Sequence, residues 1–266
     1  MPEFALGESE ARHAHQVLRL GRGDRLEVLD GQGTLVEAEI LSAGRSGVEV
    51  RSMARHVRPR AAHRLVLLQS LLKGKALDMV LEKSVELGVD RVILVETERC
   101  VARVPAAEAE RKRGVWTQTL VEAAKQSRNP WLPELLGPLP LERALGSLGS
   151  PLETTLLYAS LEPGTPPLGS VLGPQERPIP SGSSDPTGFP DHRTVAVAVG
   201  PEGDFSPAEL DRLRRHPGIG VSLGPLILRA ETATIAALAI LADSIRRHGA
   251  TPRQANPSAV PLTPAT

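Results

Sequence analysis

Apolar residues follow two different periods along the chain, and the change of period divides it into two regions. Near the beginning, residues 25–29 and 35–41 alternate apolar and polar side chains on either side of a glycine-containing turn. This alternation is typical of an antiparallel hairpin, and residues 47–53 have the pattern of a third strand. Residues 10–20, just before the hairpin, read as a short helix. We therefore predict a small, barrel-like β domain over residues 1–62.

From residue 63 onward, short apolar runs alternate with segments of helical period. Runs that are apolar on both faces are typical of buried parallel strands. The alternation predicts an α/β domain with a mostly parallel sheet over residues 63–249. The predicted strands are 65–71, 91–96, 154–158 and 194–199, and the predicted helices are one ended by Gly88, one over 113–126 and one over 235–247.

Two segments lack either period. Residues 163–190 are dense in Pro, Gly and Ser, and they separate two predicted strands. This composition predicts a flexible insertion rather than a domain boundary. Residues 250–266 have a similar composition and are predicted to form a disordered tail.

Composition narrows the function classes. No apolar run approaches the length of a membrane span, and no signal pattern opens the chain, so we expect a cytoplasmic protein without membrane contact. Cys100 is the single cysteine, and His13 and His15 lack metal-ligand spacing, so no metal site is expected. A net charge of +0 leaves phosphate binding to local clusters of basic residues, and 2% aromatic residues disfavour an RNA reader built on stacking.

A glycine-rich loop follows the predicted strand 194–199. It begins with Gly200-Pro201-Glu202-Gly203, and Ser206, Pro207 and Glu209 then have the pattern of a capping box at the start of a helix. Strand, glycine loop and capped helix are how α/β proteins form small-molecule sites at the carboxyl ends of their strands. No Walker loop or Gly-x-Gly-x-x-Gly fingerprint occurs at this loop, which disfavours a nucleotide hydrolase or a dinucleotide oxidoreductase.

A second segment, residues 223–233, also interrupts apolar sequence with glycine, proline and charge. Arg229 lies within an apolar run, where a charge usually has a partner or a function. Glu231 and Thr232 either begin the last helix as capping residues or take part in a site, and the two roles can coexist.

These two segments resemble the cofactor loops of the bacterial ribosomal RNA small subunit methyltransferase E family. Further similar segments occur in order along the chain: 15–20 with Gly23-Asp24, 82–89, 98–101 and 122–127. The family makes N3-methyluridine in 16S ribosomal RNA. The resemblance implies a SPOUT-type α/β knot, which is a trefoil-knotted fold with a mostly parallel sheet, and an N-terminal PUA-like β-barrel domain that helps bind RNA.

The chain departs from the family pattern at three places. Asp204 replaces the second glycine of a usual Gly-Gly pair, and Leu226 stands where arginine is common. Residues 127–131 replace a more basic run that contains glycine.

The resemblance further implies S-adenosylmethionine as cofactor, held among three loops. Residues implied to bind it are Tyr158, Ala159, Val199, Gly200, Pro201, Glu202, Gly203, Leu223, Gly224, Ile227, Leu228, Thr232 and Ala233. Arg229 is implied as the group that stabilises negative charge on the base, while Glu202 or Glu231 would act as general base or position the loops. Residues implied to bind RNA are Arg12, Arg19, Arg22, Lys73, Lys75 and Arg128.

The implied partners are 16S ribosomal RNA within the 30S subunit and a second copy of the chain in a homodimer. Two alternatives stay open at this point. One is a SPOUT enzyme that methylates another acceptor, either a guanine nitrogen or a ribose 2′-hydroxyl. The other is a non-catalytic RNA-binding protein that retains the fold.

Overall fold

The N-terminal region forms a four-stranded antiparallel sheet in the order β1-β4-β3-β2. The structure is a computed structural model that describes residues 2–44, 47–171 and 194–248. The strands are β1 (Glu3–Ala5), β2 (Arg25–Leu29), β3 (Thr34–Gly44) and β4 (Gly47–Val57). Helix α1 (Glu8–Arg12) and the π-helical turn His13–Val17 pack Ala11 and Ala14 into the small core of this sheet.

The second region contains a six-stranded sheet in the order β10-β8-β9-β5-β6-β7, and all five strand pairs are parallel. Its strands are β5 (Arg64–Ser70), β6 (Arg91–Glu96), β7 (Glu134–Pro140), β8 (Thr154–Ala159), β9 (Thr194–Val199) and β10 (Ile219–Val221). The central strands are apolar on both faces because helices cover both sides.

Two helical layers enclose this sheet. The helices are α2 (Lys75–Glu86), α3 (Ala106–Ser127), α4 (Leu141–Gly146), α5 (Leu168–Val171), α6 (Pro207–Arg215) and α7 (Ala230–His248). Residues of α2, α3 and α7 share one core cluster with the sheet, and residues of α4 and α6 share the other. Successive strand residues point to opposite faces, so Leu67 belongs to the first cluster and Leu68 to the second.

The strands β1, β7 and β10 and the helices α4 and α5 were not predicted from the sequence. The strands β1 and β10 are three residues long, which is too short to show a period. Strand β7 contains Gly137, Pro138 and Pro140, which are typical of turns. The helices α3 and α7 begin earlier than predicted because their first turns carry few buried apolar residues.

The flexible insertion predicted at 163–190 needs correction over residues 163–171. Leu168 begins the short helix α5, is only 1% exposed and belongs to the larger core cluster. Its amide donates a hydrogen bond to the Ser222 carbonyl at 2.9 Å, and Pro167 forms a β-bridge with Ser222. Val171 packs against the same cluster, and together with these backbone contacts it holds residues 166–171 against the core. Residues 172–190 and the predicted tail 250–266 lie outside the described residues.

Candidate functional site

A cavity of about 500 Å³ lies at the carboxyl ends of β8, β9 and β10. These strands are neighbours in the order β10-β8-β9 and parallel, so the loops that follow them meet at one edge of the sheet. The cavity is lined by Ala159 at the end of β8 with Ser160 and Leu161 after it, by Val199 at the end of β9 with Gly200, Pro201, Glu202 and Asp204 after it, by Ser222, Leu223, Gly224, Leu226, Ile227, Leu228 and Arg229 after β10, by Ala230, Glu231 and Ala233 of α7, and by Ala76 of α2.

The loop after β9 turns tightly on itself. A Cβ atom at Gly200 would lie 3.1 Å from the Phe205 amide nitrogen and 3.2 Å from Asp204 Oδ1, so the fold of the loop itself favours glycine there. Asp204 has a φ of 60°, in the left-handed region. Its Oδ1 accepts a hydrogen bond from the Phe205 N–H at 2.7 Å. Aspartate tolerates this conformation because its short side chain bonds locally, which explains how it replaces a glycine here.

Helix α6 then begins with the predicted capping box. The Glu209 N–H donates to Ser206 Oγ at 3.3 Å, and the Ser206 N–H donates to Glu209 Oε2 at 2.9 Å. Pro207 occupies the first turn, where its missing N–H is not needed. The cap fixes the far end of the loop.

The loop after β10 presents apolar side chains to the cavity and its mouth. Leu226 is 74% exposed and Ile227 is 84% exposed. Gly224 has a φ of 129°, and a Cβ atom there would meet nothing within 4 Å, so its role is conformational. Exposed apolar residues at a cavity mouth are typical of a surface that a ligand or another protein covers.

Helix α7 is anchored to the sheet at its first turn. Thr234 Oγ1 lies 2.6 Å from Gln69 Oε1 and 2.9 Å from the Ala230 carbonyl, and both Thr234 and Gln69 are fully buried. The Ala233 N–H donates to the Arg229 carbonyl at 2.8 Å. These contacts hold Arg229 at the edge of the cavity, immediately before the helix.

The loop after β8 is held from outside the cavity. Arg214 of α6 donates to both carboxylate oxygens of Glu162 at 2.5 and 2.6 Å, and the Glu162 N–H donates to Ser160 Oγ at 3.1 Å. Hydrogen bonding to Glu162 keeps the pKa of Arg214 above its ordinary value, so the guanidinium stays charged.

Charge in the cavity is predominantly negative. Glu202, Asp204 and Glu231 line it together with one cation, Arg229. Such an arrangement favours a ligand that carries positive charge.

Most residues implied to bind the cofactor line this cavity, with three exceptions. Tyr158 is buried in the core cluster on the α4–α6 side of the sheet. A Cβ atom at Gly203 would point at Arg99, 3.3 Å from its Cβ. Thr232 is exposed in the first turn of α7 and is not a lining residue. Some lining residues are not among those that the resemblance implied: Ala76, Ser160, Leu161, Asp204, Ser222, Leu226 and Ala230. Asp204 and Leu226 adjoin the implied residues in sequence, and this adjacency is the signal by which they could have been predicted to line the cavity.

The residues implied to bind RNA fall into two groups. Arg12, Arg19 and Arg22 are exposed in the N-terminal region, and Arg12 also pairs with Glu8 at 3.0 Å. Lys73 is exposed in the loop between β5 and α2, and Lys75 is exposed as the first residue of α2. Ala76, the next residue, lines the cavity, so these lysines lie beside the cavity.

Arg128 belongs to a different part of the molecule from the cavity. Its Nε lies 3.1 Å from a carboxylate oxygen of Glu27 in β2, and Lys125 likewise donates to Glu10 at 2.8 Å. Both pairs join the N-terminal region to α3. The Arg128 side chain is 61% exposed, so this ion pair leaves RNA contact by Arg128 as a prediction.

We call the contact between the two sheets the junction, defined by the turn Gly31–Gly33, the segment 128–132 and the segment 58–60. The Gly33 N–H donates to the Pro130 carbonyl at 2.8 Å, and Trp131 Nε1 donates to the Arg58 carbonyl at 3.1 Å. A Cβ atom at Gly33 would lie 2.3 Å from the Trp131 ring. The Arg60 guanidinium lies 4.3 Å from the centroid of the same ring. Residues 127–131, a departure from the family pattern, thus serve the junction.

Neither a candidate metal site nor a candidate membrane-spanning helix is found in the part of the chain that the structure describes. No group of three or more His, Cys, Asp or Glu side chains in it could hold a metal ion. None of the helices in the same ranges is long and apolar enough to cross a membrane.

The fold and the cavity define an α/β protein with a small-molecule site at the carboxyl ends of parallel strands, attached to an antiparallel N-terminal domain. Two protein-family models match the chain and define the class of protein more closely. A model of an RNA methyltransferase domain matches residues 59–242, and a model of an RNA methyltransferase PUA domain matches residues 6–51. The chain belongs to this RNA methyltransferase family.

Individual relatives agree with the family match. The chain is 28% identical over 233 residues to ribosomal RNA small subunit methyltransferase E of Mycobacterium bovis, covering 86% of this chain and 82% of that protein. It is 26% identical to the protein of the same name from Bacillus subtilis, covering 90% of each. The solved structure of ribosomal RNA small subunit methyltransferase E from Neisseria gonorrhoeae, bound to S-adenosylmethionine, superposes with a TM-score of 0.73 at 26% identity, covering 90% of this chain and 91% of that one. The resemblance and the fold class predicted from the sequence are confirmed.

Proposed function

We propose that the protein transfers a methyl group from S-adenosylmethionine to N3 of a specific uridine in 16S ribosomal RNA of the small subunit. One observation carries the proposal: the two late motifs, around Gly200 and Arg229, border a single cavity at the carboxyl ends of parallel strands. In this proposal, residues 1–62 help bind RNA and residues 63–249 form the knotted methyltransferase domain.

The residues of the cavity fit this cofactor. Leu223, Ile227 and Leu228 supply apolar surface for an adenine ring. The volume of the cavity, about 500 Å³, lies within the range of small-molecule sites. Glu202 and Asp204 supply negative charge suited to the sulfonium and ammonium groups of this molecule. When bound, S-adenosylmethionine supplies an electrophilic methyl group.

The protein contributes alignment and charge. In-line methyl transfer depends on orientation, and well-aligned reactants gain roughly 7–11 kcal/mol over free ones. Loops held by Arg214, by the α6 cap and by the Thr234–Gln69 contact provide a rigid frame for such alignment. Uracil N3 carries a weakly acidic proton that must leave before or during attack.

Arg229 suits the stabilisation of the resulting anion, since its guanidinium donates hydrogen bonds and carries a permanent charge. Glu231 and Glu202 line the same cavity and are the candidates to accept the proton. In a base pair N3 is occupied, so the target uridine must be unpaired or flipped out to reach the cavity.

We further propose that the working form is a homodimer. The outer side of α7 exposes Ala239 and Ile240, and Leu226 and Ile227 are exposed nearby in sequence at the cavity mouth. A second copy that covers these residues would remove apolar surface from water and complete the mouth. Light scattering of the purified protein should give the mass of two chains, and Ile240→Glu should shift it toward one. A wild-type mass of one chain would contradict the dimer.

Labelled methyl transfer tests the enzymatic proposal. Purified protein, radiolabelled S-adenosylmethionine and 30S subunits from cells that lack this modification should yield labelled 16S RNA, whereas fully modified subunits should not. Nucleoside analysis should identify the product as N3-methyluridine. A comparison of free 16S RNA with assembled subunits then identifies the substrate form.

Each other outcome selects an alternative. A labelled methylguanosine or 2′-O-methyl nucleoside would identify a related enzyme with another acceptor. No transfer, with RNA binding intact, would identify a non-catalytic RNA-binding protein.

A further inference from the structure

Arg99 reaches from the loop after β6 to the back of the candidate cofactor loop. Its Nη1 donates to the Gly203 carbonyl at 2.9 Å and lies 3.3 Å from the Phe205 carbonyl. The Gly203 Cα faces the Arg99 side chain, since a Cβ added there would lie 3.3 Å from Arg99 Cβ. The strand order β9-β5-β6 separates the two loops by one strand, so this contact bridges across the end of β5.

A buried carboxylate places Arg99. Glu209 is only 2% exposed, and its Oε1 accepts a hydrogen bond from the Glu98 N–H at 2.8 Å, while Oε2 serves the α6 cap. One carboxylate thus connects the turn that carries Arg99 to the helix that follows the cofactor loop. Because Glu209 bonds both segments, Arg99 is held over the carbonyls of residues 203 and 205.

The cavity side of the same loop carries the candidate ligand contacts. Gly200, Glu202 and Asp204 face the cavity, whereas the carbonyls bound by Arg99 belong to Gly203 and Phe205. Between them, Asp204 holds a left-handed conformation that a free loop would leave readily. The charge-assisted hydrogen bonds from the Arg99 guanidinium to the carbonyls of residues 203 and 205 hold the loop in this conformation.

We propose that Arg99 is a positioning residue for cofactor binding, acting through the backbone of residues 203–205 without touching the cofactor. The inference rests on the proposed function for its ligand. It predicts that Arg99 contributes to affinity for S-adenosylmethionine and not to affinity for RNA.

The test compares Arg99→Ala with Arg99→Lys and with Arg103→Ala in the full chain. Arg103 is a matched control because it donates to the Glu98 carbonyl at 3.1 Å in the same turn, and among the described residues no hydrogen bond joins its side chain to residues 203–205. Calorimetry with S-adenosylmethionine should show roughly tenfold weaker binding for Arg99→Ala, partial recovery for Arg99→Lys and a change within about twofold for Arg103→Ala. The KM for RNA should stay within about twofold of wild type in all three.

Hydrogen exchange without ligand separates this inference from the function on which it rests. Amides of residues 203–206 should exchange faster in Arg99→Ala than in wild type or Arg103→Ala, whatever the wild-type protein binds. Unchanged exchange and unchanged cofactor affinity would overturn the positioning role. Weaker RNA binding with normal cofactor affinity would also overturn it, because Arg99 would then be an RNA contact. A wild-type protein that binds no S-adenosylmethionine would contradict the proposed function alone.

Discussion

The candidate cavity and the junction lie at opposite ends of the same parallel sheet and are built differently. The cavity lies where β8, β9 and β10 end, and its lining comes mostly from two continuous segments, 199–204 and 222–233. The junction lies where β5 and β7 begin, and it joins three segments that are distant in sequence. Local motifs form the cavity, whereas long-range contacts form the junction.

This difference separates two kinds of sensitivity. The charged side chains at the cavity, those of Glu202, Asp204, Arg229 and Glu231, are exposed or half-buried, so changing them should alter binding and chemistry more than folding. At the junction, Gly33 has no room for a methyl group against the Trp131 ring, so changing it should alter the placement of the N-terminal sheet. The following predictions test this separation, from the largest expected effect to the smallest.

Arg229→Ala should abolish most turnover while leaving the fold intact. Loss of one group that stabilises charge in a transition state typically lowers kcat by about 10²-fold to 10³-fold. Single-turnover methylation of 30S subunits measures the effect, with thermal unfolding and cofactor calorimetry as controls. Arg229→Lys, which keeps the charge, should retain part of the activity. If Arg229→Ala turned over at the wild-type rate, Arg229 would have no role in the chemistry.

Gly33→Ala should destabilise the protein without weakening cofactor binding. The added Cβ would lie 2.3 Å from the Trp131 ring, and Gly33 has a φ of 101°. We expect the free energy of unfolding to fall by about 2–3 kcal/mol from overpacking and backbone strain together. Urea unfolding measures this loss.

Gly23→Ala is the matched control for that variant. Gly23 has a φ of 90°, and nothing lies within 4 Å of an added Cβ. It should lose about 1 kcal/mol from backbone strain alone. Equal losses in the two variants would show that the Trp131 contact does not constrain the junction.

Arg128→Gln should have a small effect on stability and a smaller effect on RNA affinity than Lys73→Gln, because Glu27 already neutralises this guanidinium. The ion pair with Glu27 is partly exposed, so its loss should cost less than about 1 kcal/mol. Lys73→Gln, by contrast, should remove one phosphate contact. The slope of the logarithm of RNA affinity against the logarithm of salt concentration should therefore fall in magnitude by about one. Filter binding over a salt series measures both variants. An equal reduction of the salt slope in Arg128→Gln and Lys73→Gln would show that Arg128 contacts a phosphate despite its pair with Glu27.

Asp90 should give the smallest effect, visible only as a dependence on pH. Burial raises the pKa of Asp90, although the Leu65 N–H and the charges of Arg60 and Arg64 oppose this. A carboxyl whose pKa is raised on folding destabilises the folded state as pH rises through and above its ordinary value of 3.8. Asp90→Asn should therefore gain stability relative to wild type as pH rises from about 4 to about 7. Urea unfolding across this range measures the difference, and a constant difference would mean that Asp90 titrates normally.

The two regions also differ in how far the sequence predicted them. The strand 194–199, the capping box at Ser206 and the cavity loops were predictable because each depends on a few consecutive residues. Tyr158 was assigned to the site as the end of a strand, yet its side chain faces the other core. Which face a residue takes follows from the register of the sheet, which the pattern alone did not determine.

Basic residues show the same limit. Arg128 and Lys73 look alike in sequence, since both are cations in polar segments. Only the structure separates them, because Glu27 lies beside Arg128 and comes from a strand about 100 residues earlier. Leu168 is a further case, in which a single apolar residue in a Pro- and Gly-rich segment is buried through a contact with Ser222.

The sequence by itself determined the class of this protein: the two periods, the parallel α/β region and the glycine loops that identify an RNA methyltransferase. These features depend on local propensity and on motifs of consecutive residues. The tertiary structure alone decided that the two late motifs share one cavity, that residues 127–131 hold the junction and that Arg99 donates hydrogen bonds to the loop after β9. Such contacts join residues far apart in the chain, and their partners are chosen by strand order and packing rather than by neighbouring residues.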